Sequence, residues 1–155
     1  MGPKSDGTIP AEAKTVLLQI GDWLRVNGEA IYNTRPFMVF GEGPTKAGKN
    51  AQAKNSDIQT FTAEDIRFTV PKAGGGVVYA TALGWPSTRT LRVQVMGIGL
   101  GYLKAPVCSV SLVGSNGALR FSQRAEGLFI TLPAVKPDEV AYVFRVRTEC
   151  GAPAK

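Results

Sequence analysis

The sequence predicts a mainly β protein: an antiparallel β-sandwich preceded by one amphipathic α-helix. Three observations carry this. Apolar residues at Ala13, Val16, Leu17, Ile20, Trp23 and Leu24 recur with the three-and-four spacing of a single helical face. Beyond Ile58 the period falls to two, as in Ile66, Phe68 and Val70 alternating with Arg67 and Thr69. Gly, Pro and Asn clusters then break the rest of the chain into many short segments, the spacing of a sandwich rather than of βαβ units.

The helix has a start and a stop. Thr8 is placed as its N-cap, Pro10 in the first turn and Glu12 as a favourable early acid. Asn27-Gly28 is expected to end it, with Gly28 in the left-handed conformation. Arg35-Pro36 then biases the chain toward extension, and Met38 to Phe40 reads as a short strand or extended link. Gly41 to Asn55 has no periodic apolar face and is read as loop. Strands follow through Ile66–Val70, Val77–Leu83 and Leu91–Val95, the first two separated by Pro71–Gly76. The triplet Gly97, Gly99 and Gly101 marks a bulge or loop. Cys108–Leu112, a turn at Asn116-Gly117, Leu128–Leu132 and Val140–Val146 complete the set, and the tail from Thr148 is expected to fray.

At 155 residues and 44% hydrophobic content, the chain is one domain's worth of ordinary globular composition. No apolar run is long enough to span a membrane, and the N-terminus lacks the pattern of a signal peptide. No membrane partner is expected. Cys108 and Cys150 are the only cysteines, too far apart for a metal knuckle, and both are expected to be reduced. The net charge of +6 raises nucleic acid as a partner, but the basic residues are dispersed, with only Lys46, Lys49 and Lys54 close together in a loop. A solvated surface is the expectation, and no nucleic-acid partner.

The segments GPKSDGTIP, IGDWLRVNGEAIYNTRPF, GEGPT, FTAEDIRFTV and VVYATALGWP occur in that order between Gly2 and Pro86. Together they resemble the C-terminal portion of the α-L-fucosidase family of glycoside hydrolases, and the resemblance runs from Gly2 to about Val146. It implies that residues 1–37 are the remnant of the last turn and helix of a catalytic barrel plus a connector. Residues 38–148 would then be the β-sandwich and residues 149–155 a flexible tail. It implies a parent activity too: hydrolysis of terminal α-L-fucosyl linkages through two barrel carboxylates, with no cofactor. The barrel and its nucleophilic Asp would be missing here, so no catalytic residue is carried over. Full-length relatives in the family are often exported, which leaves the location of this chain undetermined.

The residues themselves offer few alternatives. Gly43 to Lys49 has the spacing of a phosphate-binding loop, but Asn50 stands where a Ser or Thr hydroxyl would hold magnesium, and Pro44 removes a cradling N–H. The chain has no histidine, which removes serine triads, cysteine–histidine dyads and the usual zinc sites. Carboxylates remain: Glu29, Glu42, Asp57, Glu64, Asp65 and Glu126, with the Glu64-Asp65 pair expected to cap a turn or face water. Carbohydrate can also be held by aromatic stacking. Trp85 at a strand end, with Tyr32 and Arg35 in the connector, are the candidate carbohydrate-binding residues, with interface packing as the alternative for all three.

The expected function is a non-catalytic accessory or carbohydrate-binding module acting on a fucosylated glycan. The other reading is a stand-alone small glycosidase using its own carboxylates, across an oligomer interface. The uncovered apolar stripe of the helix predicts a homo-oligomer.

Overall fold

The computed structural model describes residues 4–45, 61–137 and 140–149. The lysine cluster, most of the pseudo-phosphate loop, Ile58, Asp57 and the tail from Cys150 lie outside the described residues, as do Asp138 and Glu139 of the turn before the last strand. Helix α1 spans Ala11–Asn27, and among the described residues eight strands follow: β1 Thr34–Glu42, β2 Ile66–Pro71, β3 Val77–Ala82, β4 Thr90–Val93, β5 Ser109–Leu112, β6 Phe121–Arg124, β7 Gly127–Thr131 and β8 Tyr142–Arg147. They form two antiparallel sheets, one in the order β1-β2-β3-β8-β5 and one in the order β4-β7-β6. No helix among the described residues is long and apolar enough to cross a membrane.

Alternation makes the sandwich. In β2 the side chains of Ile66, Phe68 and Val70 point inward, and Phe144 and Val146 of β8 meet them from the same sheet. Leu91 and Val93 of β4 and Leu128 and Ile130 of β7 close the core from the opposite sheet. Hydrophobic burial on both inner faces is the dominant stabilisation, at roughly 25 cal/mol per Å² of apolar surface.

Several local expectations are corrected. Pro10, not Thr8, is the residue that caps α1, and it makes no side-chain capping bond. Thr8 is occupied elsewhere: Asp6 Oδ1 accepts from its N–H at 2.9 Å and from its hydroxyl at 2.7 Å. Gly28 is right-handed, with φ −59°, and the chain continues through a 3-10 turn at Gly28–Ala30. The positive φ falls instead on Asn33, at 56°. Gly28 borders the Tyr32 ring, where an added Cβ would stand 2.7 Å from Cε2.

The link at Met38–Phe40 belongs to a strand of nine residues, β1, on the edge of the larger sheet. Its register against β2 shifts between Pro36 and Gly41, leaving Met38 and Phe40 68% and 69% exposed while Phe37 and Val39 pack on the core. An edge strand tolerates both the bulge and Pro36. The turn at Asn116-Gly117 begins a hairpin that goes no further than one bridge, Ser111 to Ala118, before the chain crosses to the smaller sheet as β6. Cys108, expected to be reduced, is disulfide-bonded.

Helix α1 packs on the larger sheet through its C-terminal end. Trp23 packs with Ala30, Tyr79 and Val143, and its Nε1–H donates to the Ala141 carbonyl at 2.9 Å. In the middle of the helix the stripe is open, with Leu17 57% and Ile20 50% exposed, although Ala13 at its start is buried.

Candidate functional site

A cleft of about 550 Å³ opens where β1, the β3–β4 connection and β4 converge. Glu42, Glu64, Ser87, Thr88, Arg92 and Gln94 are among its walls. Glu42 reaches from the end of β1 in one sheet to the 3-10 turn Gln94–Met96 that follows β4 in the other. Its two carboxylate oxygens accept the N–H groups of Gln94 and Val95, each at 2.8 Å. The acid thus satisfies two donors that the short turn leaves unpaired. Burial pushes the Glu42 carboxyl upward, and the N–H groups of Val95 and Gln94, with the Arg92 charge, offset only part of that rise. Glu64 is exposed on the same cleft.

A glycosidase requires two carboxyl groups aimed at one bond, one of them able to give up a proton. Glu42 shares the cleft with Glu64, yet both of its oxygens are committed to backbone donors. Asp65 is fully buried rather than facing water. It accepts from the N–H and hydroxyl of Thr62, at 2.7 and 2.9 Å, and from those of Thr45, at 3.0 and 2.8 Å. Desolvation pulls its pKa up, but these four bonds outweigh it and hold the carboxyl at about 2. Asp65 therefore fastens the chain on either side of residues 46–60 and is a structural acid.

Glu29 is also engaged. It receives Arg145 Nε at 2.9 Å, and Arg145 Nη2 reaches both of its oxygens. That bond raises the Arg145 pKa further, against a smaller opposing effect of desolvation. Tyr79 lies beside the pair, its hydroxyl pushed up by burial and then by the Glu29 charge. With Thr69 donating its hydroxyl to the Ala30 carbonyl at 2.7 Å, the group clamps the end of α1 to the outer face of the larger sheet. Glu126 is exposed at the β6–β7 turn, and its backbone carbonyl accepts Arg92 Nε and Nη2 at 3.1 and 2.8 Å.

The three candidate carbohydrate residues do not converge. Trp85 follows β3 at the end of the sheet where Ala82 pairs with Ile66 and Tyr142. Its half-buried ring packs on the core and stands edge-on to Tyr142, with centroids 4.6 Å apart. Tyr32 and Arg35 lie at the other end, where Thr34 pairs with Pro71, and Tyr32 is 60% exposed. The length of β2, about 17 Å at the rise of an extended chain, separates the two ends. Trp85 adjoins the cleft through Pro86, which lines it.

The role of Glu42 escapes the sequence because Gln94 lies 52 positions away, whereas Asp65 caps the Thr62 turn as expected and only its bonds to Thr45, 20 positions back, are remote. The spacing of Thr62 and Asp65, a hydroxyl residue and an acid three apart before a strand, was the one local signal.

Comparison with known proteins places these features in context. Residues 59–147 match the family model of the α-L-fucosidase C-terminal domain. The chain is 30% identical over 138 residues to the tissue α-L-fucosidase of Rattus norvegicus, covering 88% of this chain and 24% of that protein. It thus spans about a quarter of the length of the curated relatives it matches. Among solved structures, the Thermotoga maritima α-fucosidase with a mechanism-based inhibitor superposes with a TM-score of 0.67 at 25% identity, over 96% of this chain and 29% of that one. The same enzyme in complex with fucose gives a TM-score of 0.64 at 25% identity, over 94% and 28%.

Proposed function

The chain belongs to the α-L-fucosidase C-terminal domain family, and on that footing we propose that it is a non-catalytic module of a fucoside-cleaving enzyme. The observation that carries this is the state of the carboxylates. Glu29, Glu42 and Asp65 are each held by structural partners, so among the described residues no second acid able to work with Glu64 across an open bond stands beside it. The relatives' names and their fucose complexes support a parent chemistry of α-L-fucosyl hydrolysis, carried out by the portion that this chain does not span.

The module's task is support, and α1 is the surface that provides it. The exposed stripe of Val16, Leu17 and Ile20 needs an apolar cover. Residues 1–37 act as the joint to a catalytic part, with exposed Tyr32 and Arg35 at the same end. Trp85, beside the cleft, is the residue assigned to carbohydrate. In the isolated chain, a second copy covers the stripe, most simply about a twofold axis.

Light scattering on the purified chain tests this surface. A dimer is expected, and Leu17→Glu with Ile20→Glu should release monomers that melt at the wild-type temperature, since both side chains are exposed. A compact monomer from the unmodified chain would overturn the self-association.

A further inference from the structure

The arginines are dispersed along the sequence, but the smaller sheet gathers three of them on its outer face. Leu91, Val93, Leu128 and Ile130 point into the core, so their alternates, Arg92 on β4 and Phe129 and Thr131 on β7, point out. Ser122 and Arg124 of β6 share that face, and Arg120 precedes them in the same alternation, its carbonyl accepting the Thr131 N–H at 2.8 Å. Phe129 is the centre. The Arg92 guanidinium lies 5.8 Å and that of Arg124 5.0 Å from its ring centroid, each arriving from a neighbouring strand. Arg92, Arg120 and Arg124 are all exposed.

The ring orders two cations that would otherwise repel each other, and the Glu126 carbonyl and the Ser122 hydroxyl (3.3 Å from Arg124 Nε) fix their outer reaches. Neither interaction neutralises the charge. Glu126 stands at the turn, Glu64 lines the cleft beside Arg92, and Glu42, which also feels the Arg92 charge, keeps its oxygens on the Gln94 and Val95 N–H groups. Each guanidinium keeps donors that these bonds do not use, in the planar fork that suits sulfate or carboxylate oxygens. Arg120 and Arg124 stand four residues apart along one extended segment, about 13 Å at the rise of a strand, with Arg92 two strands away, so one compact anion cannot bridge all three. A repeating polyanion can.

The geometry points to a docking face for an anionic polysaccharide, one bearing sulfate or carboxylate groups, held by Arg92, Arg120 and Arg124 around Phe129. The choice of glycan over nucleic acid rests on the reading of the chain as a glycosidase module. The charge pattern itself does not depend on that reading.

The test uses the full chain with dextran sulfate, uncharged dextran and a single-stranded DNA oligonucleotide, each titrated over a range of salt. Dextran sulfate should bind and uncharged dextran should not, with affinity falling as salt rises because bound counterions are released. Arg120→Gln with Arg124→Gln should weaken binding and lower the salt slope by about one per arginine removed. Lys14→Gln with Lys72→Gln removes the same charge elsewhere and should leave affinity unchanged. Arg120→Lys with Arg124→Lys should retain part of the binding and serves as a check should the glutamine pair fold poorly. Equal losses from the two glutamine pairs would overturn the inference in favour of diffuse charge, as would absence of dextran sulfate binding. Tighter binding of the oligonucleotide at matched salt would replace the polysaccharide with nucleic acid. Because dextran sulfate carries no fucose, failure here leaves the supporting role of α1 standing.

Discussion

Replacing Asp65 with Asn tests the buried carboxylate most sharply. The side chain is 0% exposed and accepts four hydrogen bonds, with Thr45 N–H on Oδ1 and Thr45 Oγ1, Thr62 N–H and Thr62 Oγ1 on Oδ2. The two hydroxyls can turn around and accept, but the two backbone N–H groups cannot. Whichever way the Asn amide is placed, its NH₂ faces one N–H donor, which then loses its partner in a part-buried setting. Leaving such a group unsatisfied and losing the charge-assisted bonds should cost about 2–3 kcal/mol. For a chain of this size that corresponds to a fall in Tm of roughly 5–10 °C. Thermal unfolding at pH 7 measures it directly. A variant melting within about 1 °C of wild type would refute the reasoning, because the four bonds would then carry no net stability. The pH dependence has a definite sign. The folded pKa of about 2 lies below the ordinary 3.8, so the contribution is complete above pH 3.8 and is lost as pH falls through about 2. Glu42 acts the other way: its raised folded pKa favours the protonated form, so its contribution declines as pH rises past the ordinary 4.5. The Asp65→Asn chain should therefore lose less stability than wild type between pH 4 and pH 2.

Trp85→Ala should lower stability by about 1–3 kcal/mol, less than for a fully buried aromatic, because the ring is half-buried against Tyr142 and the core. Denaturant unfolding reads that loss, and glycan affinity measured on the folded fraction separates stacking on sugar from packing. Gly127→Ala should cost about 1–3 kcal/mol, since its φ of 146° is strained for a side chain and the new Cβ would stand 2.8 Å from the Val93 carbonyl oxygen. Gly28→Ala should be neutral or stabilising by up to about 1 kcal/mol, because φ is right-handed and the Tyr32 ring it meets is exposed and free to swing. Calorimetry on the pair distinguishes the two positions.

The fold was legible wherever one face of an element is buried and the other wet. Ile66-Arg67-Phe68-Thr69-Val70 writes its own alternation, and Ala13 to Leu24 writes the helix. What the sequence hid is non-local. Nothing in Asn116-Gly117 says that its hairpin stops after one bridge, because that depends on the following segment pairing as β6 with β7 of the other sheet instead. Gly28 looks like a left-handed stop, but the chain prolongs the helix with a 3-10 turn and passes the unusual φ to Asn33. Arg92, Arg120 and Arg124 read as scattered basic residues until strand pairing brings them onto one face, two of them against Phe129. The acids most suggestive of catalysis turn out to be structural for the same reason, since the donors that occupy Glu42, and the Thr45 pair on Asp65, lie on other segments.

The central claim is that this chain supports a fucosidase without catalysing the reaction itself. Turnover of a chromogenic α-L-fucoside by the purified chain tests it most directly, with Glu42→Gln and Glu64→Gln as controls. The account predicts no hydrolysis above buffer, and none that differs among the three proteins. Hydrolysis that survives purification and disappears with either substitution would contradict it, and would make the cleft an active site.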